Sequence, residues 1–298
     1  MIIERVGIIG LGEVGRVLAE DLLLQSGVHV QVWDNQFSDP DSIAARNLQE
    51  LASSPALSAA DNASTAAASC QLILSAVTAD QALAAAESIL PALEKEALFV
   101  DLNSVSPNTK QSVSNAIEHV GGRFVEASVM SPIMPLRSNA PILLCGPHAT
   151  ILESAGRELG FGDMLAISAA LGVASATKMC RSVIVKGMEA LVTESLLAAR
   201  YYGVEGSVLA SLDNLFPRPD WPEHARYLIS RSLQHGSRRA AEMREVGKTV
   251  QEAGFSPWMS EGTVERQAWA PQFDAALGEE SLEGLLDAIR TQFTSIEN

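Results

Sequence analysis

Three groups of residues in this chain have types and spacing suited to chemistry. Gly10, Gly12 and Gly15 stand near the N-terminus at G-x-G-x-x-G spacing, where bare backbone can close on an anion. Asp34 follows about 20 residues on, a distance at which a carboxylate can accept hydrogen bonds from a sugar's hydroxyls. Lys178 lies within an apolar stretch, from Val173 to Tyr202, where an amine out of bulk water can take or give a proton.

The elements around the glycines decide what they do. Val6, Ile8 and Ile9 read as a buried strand, while Val14, Val17, Leu18 and Leu22 recur at helical spacing. The order is strand, tight turn, helix. Gly10 allows the turn, Gly12 admits a pyrophosphate, and Gly15 lets the helix sit close to the strand. The helix N-terminus then presents free N–H groups to phosphates. A second strand, Val28 to Trp33, ends at Asp34. Glycine triplets also make ordinary turns, and Asp is common at strand ends. Strand, helix and distal acid together predict a dinucleotide held at Gly10, Leu11, Gly12, Glu13, Val14, Gly15 and Asp34. Asp34 favours NAD over NADP, because its charge repels a 2′-phosphate and neither Asn35 nor Gln36 is an arginine.

Strands at 72–77, 97–102, 123–127, 141–147 and near 165–167 are predicted, with helices at 42–53, 80–93, 107–119 and up to about 159. A strand or turn near Leu57 and a small helix capped by Asp61 or Asn62 complete the pattern. This predicts a Rossmann-type α/β domain over residues 1–168, with a doubly wound, mostly parallel sheet. Ligands gather at strand carboxyl ends, so Ala76, Val77, Asn103 and Ser104 are candidates for the nicotinamide ribose, or simple caps of the helices that follow. Residues 128–135 read as a loop stiffened by two prolines.

The remainder, 169–298, reads as an all-α domain opening with a long helix at about 173–202. At about 100° per residue Lys178, Ser182 and Glu189 share a stripe, with Ser175 beside it. A lysine so placed either snorkels to water or faces a cleft as acid and base. Further helices are expected at 206–216, 221–234, 237–253, 259–270 and 281–295, with breaks at Pro217-Arg218-Pro219, Gly236, residues 254–257 and Pro271. Arg238, Arg239 and Arg244 read as a solvated or inter-subunit face, and Trp221, Trp258 and Trp269 as core or interface.

At 298 residues the chain exceeds one typical core, which suits two domains. Its formal charge of −15 argues against nucleic acid or an anionic membrane as a partner. The stretch 164–176 is too short to span a bilayer, no stretch reads as a targeting segment, and the cytoplasm is the expected compartment. Cys70, Cys145 and Cys180 are far apart in apolar surroundings and read as buried thiols, and the five histidines show no metal-ligand spacing with them.

The order of these features resembles the β-hydroxyacid dehydrogenase superfamily, which includes 3-hydroxyisobutyrate and 6-phosphogluconate dehydrogenases. The segments Lys178-Met179-Cys180-Arg181-Ser182 and Ser237 to Arg244 resemble a phosphogluconate-dehydrogenase-like subgroup of it. Asp101-Leu102-Asn103-Ser104 is similar to the family's D-x-S-T segment near the nicotinamide, and Glu126 to Pro132 to its D-A-P-V-S-G-G substrate loop. The resemblance implies an NAD-dependent dehydrogenase acting on a small hydroxyacid-like alcohol, with Lys178 as the catalytic lysine. It implies substrate contacts at Ser128, Met130, Ser131, Arg181, Ser182 and Lys186, and a homodimer. Ser182 replaces the family's asparagine and Met130 its loop serine, so substrate identity is not inherited. Val185 stands where decarboxylating relatives carry glutamate, which argues against decarboxylation. Imine reduction and NAD sensing without catalysis are the alternatives.

Overall fold

The computed structural model describes residues 2–212 and 220–297. Its first half alternates strands β1 (Arg5–Ile9), β2 (His29–Trp33), β3 (Leu57–Ala59), β4 (Leu72–Ser75), β5 (Leu98–Asp101), β6 (Arg123–Val129), β7 (Ile142–Cys145) and β8 (Met164–Ser168) with helices. These helices are α1 (Glu13–Leu23), α2 (Ile43–Leu51), α3 (Ala63–Ala67), α4 (Ala82–Ile89), α5 (Pro107–His119) and α6 (Ala149–Glu158). One sheet holds all eight strands in the order β3-β2-β1-β4-β5-β6-β7-β8. Only the β6–β7 pairing is antiparallel.

The strands read as unbroken apolar runs because both faces of the sheet are covered. Alternate residues feed opposite sides: Leu72, Leu74, Leu98, Val100 and Val125 join one core cluster, while Ile73, Phe99 and Phe124 join the other. Helix crossovers leave β1 towards β2 on one side and reach β4 on the other. The strand order therefore reverses between β1 and β4, and in open α/β sheets ligands bind at the strand carboxyl ends of such a reversal.

Helix α7 (Val173–Tyr202) follows, then α8 (Glu205–Leu212), α9 (Trp221–Glu252), α10 (Trp258–Trp269) and α11 (Leu282–Glu297). The chain divides into two compact units, Met1–Met179 and Cys180–Asn298, whose junction falls inside α7. The second unit has its own core, in which Leu196, Ile229, Leu233, Phe273, Leu286 and Ile289 are buried. Trp269 and Phe273 rings meet there at 4.5 Å.

Several sequence expectations need correction. Gly236 does not break a helix: α9 runs through it for 32 residues. The glycine is there because a Cβ would run into the carbonyl oxygen of Gln267, so α9 and α10 approach backbone to backbone. Strand β6 extends to Val129, which puts Ser128 in the sheet rather than in a loop. Residues Ala270–Gly278 form an unforeseen 3-10 stretch. Cys180 is exposed, whereas Cys70 and Cys145 are buried, and burial pushes the Cys70 thiol up to about 11. Trp258 is also exposed, while Trp221 is buried. The helix expected at 206–216 appears as α8, and its end and the Pro217-Arg218-Pro219 break lie outside the described residues. No helix of the described residues is long and apolar enough to cross a membrane.

Candidate active site

Each glycine of the first turn answers a different steric demand. Gly10 has φ +95°, and a Cβ on it would meet Ala76 and Val77 of the chain leaving β4. A Cβ on Gly15 would strike the carbonyl oxygen of Gly10, so α1 lies against the turn. Around Gly12 a Cβ would meet nothing within 4 Å. Gly12 is also the N-cap of α1 and offers no side chain to the amides of the first turn. Open space above unclaimed N–H groups is what a phosphate needs.

Asp34, half-buried at the tip of β2, accepts from the Leu11 amide at 2.8 Å through Oδ2 and from the Gln36 amide at 2.9 Å through Oδ1. The acid is thereby tied to the glycine turn. Asn47, buried on α2, holds the same turn from behind by donating Nδ2 to the Leu11 carbonyl at 2.8 Å. Its contribution was missed in the sequence, where a polar residue in an Ala-rich helix carries no signal.

At the ends of β4 and β5 the buried Asn103 is the organiser. Its Oδ1 accepts from the Val77 amide at 2.7 Å, its Nδ2 donates to Ser75 Oγ at 3.0 Å, and its own amide donates to Asp101 Oδ1 at 2.9 Å. Ala76, Val77 and Ser104 are partly accessible around it. Beneath lies a fully buried lysine. Lys110 Nζ donates to the Asp101 carbonyl at 2.6 Å and the Ala127 carbonyl at 3.4 Å, and faces Asp101 Oδ1 at 3.2 Å. Lys110 ties the end of β5 to that of β6. A signal for it existed: Lys110 shares the buried stripe of α5 with Val113, Ser114 and Ile117.

On β6, Ser128 is buried and Met130 continues the pairing with an amide donated to the Pro141 carbonyl at 2.8 Å. Ser131 donates its hydroxyl to the Pro132 carbonyl at 3.0 Å. Glu126, on the same strand, is wholly buried and bonds the start of α7. Lys178 is half-buried, in the second turn of that helix. All these residues belong to the first unit.

Within the second unit the polar stripe of α7 continues as Ser182, Lys186, Glu189 and Thr193, each buried. Lys186 lies 3.5 Å from Ser182 Oγ and pairs with Glu242 of α9. Burial pushes its ammonium down, against the pull of Glu242. Arg239, expected on a solvated face, is instead buried and paired with Glu189. Burial lowers it too, Glu242 opposing. Arg238, half-exposed, bonds Glu242 at 3.0 Å, and Arg181 is exposed. Among the described residues no three His, Cys, Asp or Glu side chains gather to hold a metal ion.

A family model described as the NAD binding domain of 6-phosphogluconate dehydrogenase matches residues 5–156. The chain belongs to this family, within the β-hydroxyacid dehydrogenase superfamily. In this dehydrogenase-family chain, residues 199–270 match a second model, described as a domain of unknown function (DUF1932). Over 217 residues the chain is 24% identical to the mitochondrial 3-hydroxyisobutyrate dehydrogenase of Homo sapiens, covering 72% of this chain and 63% of that protein. It thus spans less than two thirds of the length of the curated relatives it matches first. A conserved hypothetical protein from Sinorhizobium meliloti 1021, known from its crystal structure, is 32% identical with a TM-score of 0.71, over 97% of this chain and 96% of that one. A Mycobacterium tuberculosis 3-hydroxyisobutyrate dehydrogenase structure with L-serine shares the fold at a TM-score of 0.70 and 15% identity, over 97% of this chain and all of that one. The residues of the first unit fit the family's dinucleotide: the space over Gly12, the uncapped first turn of α1 and the anchored Asp34 carboxylate suit its phosphates and ribose.

Proposed function

We propose that the chain transfers hydride between NAD and the carbinol or carbonyl carbon of a small hydroxyacid-like substrate, with Lys178 as general acid and base. The observation that carries this reading is the presence, in one compact unit of a dehydrogenase-family chain, of the complete glycine turn and of Lys178 half-buried on α7. Bound nicotinamide supplies or accepts the hydride. The protein's part is to hold the dinucleotide on Gly10 to Gly15 and Asp34, to shape the strand tips through Asn103, and to move one proton. In oxidation the neutral amine of Lys178 takes the substrate's hydroxyl proton, and in reduction the ammonium returns it.

The Asp34 charge favours NAD over NADP, since it repels a 2′-phosphate at the ribose edge. Arg181, exposed one turn after Lys178, is the cation proposed to meet a substrate anion. Lys186, with Glu242 beside it, supports the helix that carries Ser182. Val185 supplies no acid or base, which supports a reaction without decarboxylation. A homodimer is proposed from the exposed apolar face of α7, with Ile184 67% and Leu191 59% accessible. A monomer mass in light scattering would contradict it.

The test is a screen of small hydroxyacids, aldehydes, ketones and cyclic imines against NADH, NADPH and their oxidised forms, read by nicotinamide absorbance. Turnover of a hydroxyacid or its carbonyl partner, faster with NAD, is the expected result. Turnover of imines alone, or none despite tight NAD binding, would overturn the reading in favour of an imine reductase or a sensor.

A further inference from the structure

Glu126 has no exposed surface, and its strand neighbours Phe124, Val125 and Ala127 are apolar and equally buried. A carboxylate in such a place is unstable without partners. Its partners are main-chain amides: Oε2 accepts from Gly172 and Oε1 from Ser175, each at 2.5 Å. These are the residue just ahead of α7 and the third residue of the helix. A helix leaves its first amides without acceptors, and a local Ser, Thr, Asp or Asn ordinarily caps them. Here that position is Gly172, at φ +92° and without a side chain, and the hydroxyl of Ser175 bonds back to the Gly172 carbonyl at 3.2 Å. Burial pushes the Cys145 thiol up and the Glu126 charge raises it further, while the backbone of the two intervening residues, Val173 and Ala174, opposes both.

The cap of α7 is therefore supplied from β6, the strand that carries Ser128 and leads to Met130. Lys178 stands three residues beyond Ser175, less than one helical turn. In a helix of fixed rise and rotation, the placement of the first turn sets the height and direction of that lysine. We infer that Glu126 is a positioning residue for Lys178, a cap from across the sheet that couples the proposed substrate strand to the helix of the proposed acid and base. The inference rests on the reading of Lys178 given above.

Two variants of the full chain test it, Glu126→Gln and Glu126→Asp. Glutamine keeps the shape but has one acceptor instead of two, while aspartate keeps the charge on a shorter arm. Amide hydrogen exchange without cofactor is compared with kcat, KM and the NADH Kd. In Glu126→Gln, exchange over residues 172–178 speeds up at least tenfold while β1 and α1 stay protected. The NADH Kd stays within about twofold, and kcat falls by roughly one to two orders of magnitude. Glu126→Asp recovers part of both losses. Wild-type exchange at 172–178, an unchanged kcat, or exchange that rises equally in β1 and α1 would overturn the positioning role. If exchange responds as expected but Lys178→Met keeps full turnover, the assignment of the lysine falls while the cap stands.

Discussion

In the first unit the buried polar side chains Asn103, Lys110 and Glu126 bond chiefly to main chain near strand ends, whereas in the second Lys186, Glu189, Arg239 and Glu242 bond mainly to one another across helices. The difference follows from where free backbone lies. A helix interior satisfies its own amides and carbonyls, so a buried polar group there finds only other side chains. Strand ends and helix starts leave main-chain groups open, and a side chain bonded to them decides the path of a loop. The first arrangement ties side chains to the main chain around the strand tips, and the second joins α7 to α9.

The two kinds of burial respond differently to substitution, and the largest effect is expected at Lys110. Lys110→Met leaves the Asp101 carboxylate buried without its cation, and Asp101 Oδ2 has no hydrogen-bond partner even in the native chain. A loss of about 3–5 kcal/mol in urea unfolding is expected. Adding Asp101→Leu should recover little, because the carbonyls of Asp101 and Ala127 still lose the hydrogen bonds that the Lys110 ammonium donates. Arg239→Met in the second unit should cost about 2–4 kcal/mol, and there Glu189→Leu should restore most of it, since Glu189 is the buried carboxylate left without its ion-pair partner. Equal recovery in both units would erase the distinction drawn between them.

The glycine turn sharpens the contrast within the first unit. Gly15→Ala must displace the Gly10 carbonyl and should cost about 1–3 kcal/mol, whereas Gly12→Ala meets open space and should leave stability within ~0.5 kcal/mol. The cofactor reverses part of that order: Gly12→Ala should raise the NADH Kd by about tenfold, seen by titration. If Gly12→Ala instead destabilises the fold with no effect on binding, the turn is merely structural.

The smallest effect is expected at Arg200, which bonds Glu205, Glu283 and Asp287. Its own backbone amide and Arg200 hold the Glu205 carboxyl below the usual range, and Arg200 does the same for Asp287, each against a small effect of burial. The native state thus binds fewer protons than the unfolded one across the acidic range. Their stabilising effect is complete above the unfolded carboxylate value near ~4 and is lost as pH falls through the lowered native values. Unfolding midpoints of wild type and Arg200→Gln should differ slightly at neutral pH and converge at low pH. A constant difference would contradict this.

What could be read in the sequence was local. Gly10 to Gly15, the apolar strands and the unbroken run from Val173 to Tyr202 announce themselves by spacing, and the structure has them where expected. The polar stripe of α7 was visible for the same reason. What could not be read has its cause far along the chain. Gly236 looks like a break until Gln267 is seen against it, and Arg239 looks solvated until Glu189 is placed beside it. Cys180 reads as buried by residue type, yet it lies between Met179, which is buried, and Arg181, which is exposed, and the helix turns it outward. The cap from Glu126 joins residues that no local rule connects.

The central claim is that Lys178 moves the proton in a hydride-transfer reaction, and it is tested most directly by comparing Lys178→Met with the wild type at saturating cofactor. With Lys178 as the proton carrier, kcat falls by about 10²–10⁴-fold in the variant while the NADH Kd stays within about twofold. Turnover within about threefold of the wild type, at equal cofactor affinity, would contradict it.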